Sequence, residues 1–329
     1  MLVLYFFVLI ALVGTTTQFY AATTSTTTHD TAQIFRAIGE REKNLLVAAE
    51  KDNTTFLLSF VTMGTDPNQL LDVTQITPLH AAAISNAINV VMLLLANRAD
   101  VNCVDNAGWT PLMWAAKQGH IDVVKILLAN DANPALYCTA FKRTALHIAV
   151  LAGHEAIVAE LVDTNSTLNA QDKNGWSALM HAVNHGNIAL IKKLLYRDMS
   201  LYLATDLLPC ANANVKAPET GLTALHVAVL RRHNGIMHML IGARSNLDEV
   251  TREGKTALHL AALTNNHNAI RILRKAGAKQ DIADSSGMLA AQYATKAKAI
   301  AEFDHELEHR KQKPVPAETP AQEPQAQQA

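Results

Sequence analysis

The chain has 329 residues, 49% of them apolar and only 17% charged, which is enough to bury a sizeable core. A formal net charge of −1 supplies no basic excess for neutralising phosphates, so no nucleic acid is expected as a partner. The three cysteines, Cys103, Cys138 and Cys210, are odd in number and widely spaced, and they form neither a zinc pattern nor a disulfide framework.

The N-terminal run MLVLYFFVLIALVG is apolar from Leu2 to Val13, and no Asp, Glu, Lys or Arg precedes Asp30. Residues 1–22 read as an export signal or as an uncut membrane anchor. The basic residue usual before such a run is missing, and a cleavage site at Ala21 or Ala22 has Phe19 or Tyr20 in the third position back. The near-spanning length of Leu2–Ala22 supports an anchor, and the Thr-rich second half opposes one. Both readings stay open. The expected location is therefore exported (secreted or periplasmic) or membrane-tethered, with any membrane contact confined to residues 1–22. A polar Thr-rich linker, 23–40, follows.

From residue 41 to residue 310 the chain repeats itself. TPLHAAA begins at Thr77, TPLMWAA at Thr110, TALHIAV at Thr144, SALMHAV at Ser177, TALHVAV at Thr223 and TALHLAA at Thr256. The starts are separated by 33, 34, 33, 46 and 33 residues, and weaker copies at Asn44 (NLLVAAE) and Leu289 (LAAQYAT) extend the series to eight units. Each Thr or Ser offers a hydroxyl to the unpaired N–H groups of a helix start, and Pro78 and Pro111 occupy the first helical position. Leu79, Leu112, Leu146, Leu179, Leu225 and Leu258 follow at a fixed offset. Ala82, Ala115, Ala149, Ala182, Ala228 and Ala261 come three residues later on the same face, which predicts a close helix approach. A second apolar helix follows, as in IDVVKILLA from Ile121, and a polar turn closes the unit. Neither helix buries its apolar face alone, so the units must stack. In the last unit Ile300, Phe303 and Leu307 repeat the offsets of Ile121, Val124 and Leu128, with charged residues around them, as an end cap requires.

GWTPLMWAAKQGHIDVVKILLA, GLTALHVAV, GKTALHLAA and RADVNCVDNAGWTPL resemble the ankyrin repeat, over about Asn44 to Glu308. The resemblance implies an all-α repeat solenoid of stacked antiparallel helix pairs with β-hairpin fingers. It also implies a concave protein-binding face of fingers and first helices. Thr77, His80, Thr110, Thr144, His147, Thr223, His226, Thr256 and His259 become structural motif residues, the histidines tying neighbouring units together. His120 and His154 occupy the family's Gly-His turn. The exposed, variable columns become partner-binding candidates: Trp109, Lys117, Gln118, Arg143, Lys173, Trp176, His185, Arg231, Arg252 and Lys255. Two tryptophans with several cations are a composition suited to binding hot spots.

The departures from the family carry expectations of their own. Arg98, Asp131, Asn165 and Arg244 stand where a left-handed glycine usually follows the second helix, which predicts an array below idealised stability. Lys142 replaces the finger glycine, which predicts a differently shaped third finger. The 46-residue spacing places a 13-residue insertion at 197–209, which must loop out of the stack. Cys103 and Cys138 lie in adjacent fingers, where export would permit a disulfide. Asn53-Thr54-Thr55 and Asn165-Ser166-Thr167 match the glycosylation acceptor pattern. The tail, 311–329, is rich in Pro and Gln and lacks core-forming residues.

No nucleophile or phosphate-loop motif is present, and His181 and His185 lack a third metal ligand, so no catalytic residue, metal or cofactor is expected. The expectation is a monomeric, non-enzymatic protein-binding scaffold whose partner protein is unknown. The alternatives are a secreted effector or inhibitor acting on another cell's proteins, or a regulatory subunit of an exported enzyme.

Overall fold

The computed structural model describes residues 75–163, 167–196 and 210–303, with scattered positions between 47 and 70. Residues 1–22, the linker at 23–40, the insertion at 197–209 and the tail at 311–329 lie outside the described residues, as does most of the unit beginning at Asn44. The chain divides into two compact units between Thr139 and Ala140.

The described residues form an all-α repeat solenoid fold of six complete helix pairs. In the first unit these are α1 (Pro78–Ser85) with α2 (Ile88–Ala96) and α3 (Pro111–Gln118) with α4 (Ile121–Ala129). In the second they are α5 (Ala145–Ala152) with α6 (Glu155–Asp163), α7 (Ala178–His185) with α8 (Ile188–Leu195), α9 (Ala224–Leu230) with α10 (Asn234–Gly242), and α11 (Ala257–Leu263) with α12 (His267–Lys275). Of the eight units expected, the described residues show six complete helix pairs and part of one more.

First helices start where the hydroxyls stand. Thr110 Oγ1 accepts from the Met113 N–H at 3.2 Å, and Ser177 Oγ from the Met180 N–H at 3.4 Å. The predicted close approach is present. The six alanines of that register are at most 1% exposed, and α1 packs on α3, α5 on α7, α7 on α9 and α9 on α11. The second helices bury one stripe each, such as Val123, Val124 and Leu127 of α4. A ladder of side-chain to backbone bonds joins the turns. Asn102 Oδ1 accepts from the Asn133 N–H, Asn169 from Asn212, Asn214 from Asn246, and Asp248 from Lys279. The Asn169–Asn212 rung bridges the insertion at 2.7 Å, so the stack continues past residues 197–209 in register.

Four expectations need correction. The fingers are turns with isolated bridges, Gln171 to Ser177 and Ala283 to Leu289, and no β-hairpin strands occur among the described residues. In three of them, at Asp105, Asp172 and Asp284, turn amides bond to a side-chain carboxylate. Lys142 takes φ 50°, in the same left-handed region as the 71–73° of Gly108, Gly175, Gly221 and Gly254, so the third finger keeps its left-handed turn without glycine. The last unit's first helix shrinks to a 3-10 turn, Ala290–Tyr293. Leu289 replaces the capping hydroxyl there, and only Ala290 of the turn is buried. In the helical segment that follows, Ala299 and Phe303 are the buried residues while Ile300 is 41% exposed, so the buried stripe does not run through Ile300. Leu307 lies outside the described residues.

The left-handed turns after the second helices are as expected. Arg98, Asp131 and Arg244 take φ 64°, 64° and 58°, where Gly277 takes 95°. Asn165 lies outside the described residues.

Candidate protein-binding face

The motif histidines are used by the scaffold. The Thr77 N–H donates to His80 Nδ1 at 3.2 Å, which leaves the proton on Nε2, and Nε2 donates to the Trp109 carbonyl at 3.0 Å. His147 binds Thr144 and the Trp176 carbonyl in the same way, and His259 binds Thr256 and the Met288 carbonyl. His226 repeats the contacts to Thr223 and faces the Lys255 backbone. Burial pushes the pKa of His80 below its usual value, and those of His147 and His226 down to about 4. These rings therefore stay neutral at neutral pH; Nε2 of His80 and His147 is bonded across to the next repeat, whereas Nε2 of His226 is buried without a hydrogen bond. His120 Nε2 donates to the Ile84 carbonyl at 2.9 Å, a structural bond as expected.

A finger carboxylate is the second scaffold element. Asp105 Oδ1 accepts the N–H groups of Ala107 and Trp109, and Oδ2 accepts the Trp114 indole N–H at 3.0 Å. Asp172 does the same for Asn174, Trp176 and His181 Nε2 (2.9 Å), and Asp284 for Ser286, Met288 and the Tyr293 hydroxyl (2.5 Å). Where the finger residue is Ala217 or Thr251, the facing helix residue is aliphatic, Val227 or Leu260. The signal was present in the sequence as an Asp nine residues before Trp114, His181 and Tyr293, and sequence reasoning missed it. Burial pushes the Asp172 carboxyl up, but the bonds from His181 and the Trp176 and Asn174 amides outweigh that and hold its pKa at about 2. Arg143 Nε lies 3.7 Å from the same oxygen.

The candidate residues therefore separate into three groups. Trp109 is buried, 8% exposed, with its ring 4.7 Å from that of Trp114, which corrects the expectation that it lies exposed. Its finger folds back over the helix start, held by Asp105. Half-buried are Lys117 and Gln118 at the end of α3, Trp176 with its ring 5.2 Å from His181, Arg143 over the Phe141 ring, and Lys255 bonded to Glu253. Exposed are Lys173, His185, Arg231 and Arg252, all in the second unit. His181 and His185 do not form a metal pair, because Nε2 of His181 serves Asp172 and Nδ1 of His185 donates to the His181 carbonyl. Among the described residues no group of three or more His, Cys, Asp or Glu is placed to hold a metal. Among the described residues no disulfide joins Cys103, Cys138 and Cys210, and burial pushes the Cys103 thiol up to about 11. Among the described residues no helix is long and apolar enough to cross a membrane.

A repeated unit with these fixed structural residues defines a repeat scaffold. The family model "Ankyrin repeats (3 copies)" matches residues 45–138, 130–205, 200–284 and 225–303, more than half of the chain, and the protein belongs to the ankyrin repeat family. It is also similar to the mouse (Mus musculus) and rat (Rattus norvegicus) proteins named "Ankyrin repeat and SAM domain-containing protein 6", each 35% identical over 99 residues. That match covers 28% of this chain and 11% of either relative's length, so it bears on the repeats alone.

Proposed function

We propose that the protein is a non-enzymatic protein-interaction scaffold that holds its partner on the side formed by fingers and first-helix ends. One observation carries the reading. The repeated chemistry of the array, its histidines and finger carboxylates, is bonded inside the fold, while Lys173, His185, Arg231 and Arg252 are exposed on fingers and first-helix ends. Arg231 and Arg252 keep donors in solvent, a composition that suits contacts with another protein. Trp109 leaves the candidate set because it is buried. Export or tethering through residues 1–22 remains part of the proposal, and it rests on the apolar sequence alone.

Crosslinking of the native full chain, with the recovered species read by mass spectrometry, tests both parts. Crosslinks from Lys173 or Lys117 to one protein are the expected result; crosslinks confined to residues 311–329 would move binding off the array. A chain shortened by about twenty N-terminal residues indicates a cleaved signal. A full-length chain in the membrane fraction indicates an anchor, and one in the soluble cell fraction removes the export proposal.

A further inference from the structure

The first-helix ends of the second unit carry a patch that the finger columns do not account for. Leu230 of α9 and Leu263 of α11 are 42% and 49% exposed. Both stand seven residues after the capping threonine, and α9 packs directly on α11. In the first unit the same register holds Ile84, 8% exposed, and Lys117. A single exposed leucine is ordinary, but two on adjoining helices, about 10 Å apart at normal helix spacing, make a continuous apolar strip.

Two arginines flank that strip. Arg231 Nε donates to Asn184 Oδ1 of the preceding repeat at 2.7 Å, and Arg232 Nη2 donates to the Thr264 carbonyl of the following repeat at 2.6 Å. Asn184 occupies the same register as the two leucines, so the row reads Arg231, Leu230, Arg232, Leu263. Neutral acceptors hold both guanidiniums in place, and neither has a carboxylate partner among the described residues. Other cations of this unit do have one: Lys216 has Glu249, Arg252 has Glu219, Lys255 has Glu253, Arg271 has Glu302 and Lys279 has Asp248. Helices α7, α9 and α11 and the turns after them contain no Asp or Glu.

We infer that this row is a docking site for an acidic segment of a partner protein, one with two apolar side chains about 10 Å apart and carboxylates beside them. The inference rests on the protein-binding reading and names its partner's chemistry. An apolar partner would desolvate two guanidiniums without counter-charge, which is unfavourable. A planar anionic surface would meet the exposed finger carboxylates Glu219 and Glu253, whose side chains are 77% and 73% accessible. A narrow acidic strand of protein avoids both costs, and the pre-positioned arginines give it fixed bidentate donors.

The experiment is selection of a displayed library of random 16-residue peptides on the full-length chain. Recovered peptides are then measured on two double variants, Arg231→Glu/Arg232→Glu and Leu230→Ser/Leu263→Ser. A third variant, Arg231→Gln/Arg232→Gly, removes the charge while suiting the φ of 60° at position 232. Circular dichroism confirms that each variant is folded. The expected result is enrichment of Asp and Glu around two apolar residues, at least about tenfold weaker binding to each variant, and binding that falls with salt. No enrichment, neutral or basic winners, or winners that bind the variants like the parent chain would overturn the inference. Such winners crosslinking to Lys173 would leave the protein-binding reading standing, whereas winners crosslinking only to residues 311–329 would remove that reading too.

Discussion

Asp172 is almost wholly buried, yet each of its oxygens has a donor. Asp105 and Asp284 repeat the arrangement with an indole and a phenol in place of the imidazole. The carboxylate satisfies turn amides that a longer hairpin would pair with backbone, and the helix donor then satisfies the carboxylate. The fingers without a carboxylate, at Ala217 and Thr251, belong to repeats whose helix residue in that register is Val227 or Leu260, and Thr251 Oγ1 accepts only the Lys255 amide. Asp172→Ala should therefore cost about 2–3 kcal/mol, because it strands the His181 N–H and two turn amides. Asp172→Ala/His181→Val, which copies the Ala217–Val227 pair, should recover about 1 kcal/mol of that loss in urea unfolding. If the two single changes prove additive, the two residues are not a pair. Trp109 belongs at this scale as well. Its ring is buried against Trp114, so Trp109→Ala should lower stability by about 3 kcal/mol. A variant that keeps its Tm and only loses a binding partner would show Trp109 to be a surface residue after all.

The turns between elements hold the chain's most visible strain. Arg98 and Arg244 take a left-handed backbone that costs an L-residue about 1 kcal/mol over glycine, and Gly277 shows that the same turn accepts glycine. Arg98→Gly and Arg244→Gly should each raise Tm by about 2–4 °C in calorimetry, less what the unfolded chain gains in freedom; a lower Tm for both would mean that the arginine side chains stabilise these turns. These positions were legible in the sequence, as were the hydroxyl caps and the small-residue register, because each depends on one residue at a fixed place in a repeat. What was not legible depends on a neighbour. The burial of Trp109 follows from how its finger folds back on α3. The shrunken helix at Ala290–Tyr293 follows from Leu289 in place of the capping hydroxyl. The exposed row at Leu230 and Leu263 shares its helix position with the buried Ile84, and only packing separates them.

Across the whole molecule, the buried motif histidines set a limit on the acid side. His80 lies among Asp105, Asp100 and Cys103; His147 among His181, Asp172 and Arg143; His226 among Lys216 and Glu249. Despite these neighbours burial dominates, and all three are harder to protonate in the fold than in the unfolded chain, where a histidine titrates near 6.5. Below that pH the unfolded state binds more protons than the folded one, so stability falls with falling pH. The stabilisation is complete above about 6.5 and is lost progressively toward 4, the value reached by His147 and His226. Asp172, held at about 2, adds slope only at the acid end of that window, since its own contribution is lost progressively from about pH 5 down toward 2. Urea midpoints taken from pH 7.5 to 4.5 should therefore decline steadily below 6.5. Met113 and Met180 fill the histidine's register in two units of this chain, so His147→Met/His226→Met is a change the scaffold already tolerates elsewhere. That double variant should be weaker at pH 7.5, where the Trp176 carbonyl loses its donor, yet show a shallower decline toward pH 4.5. Parallel pH profiles for the two proteins would mean that the acid limit lies in other groups.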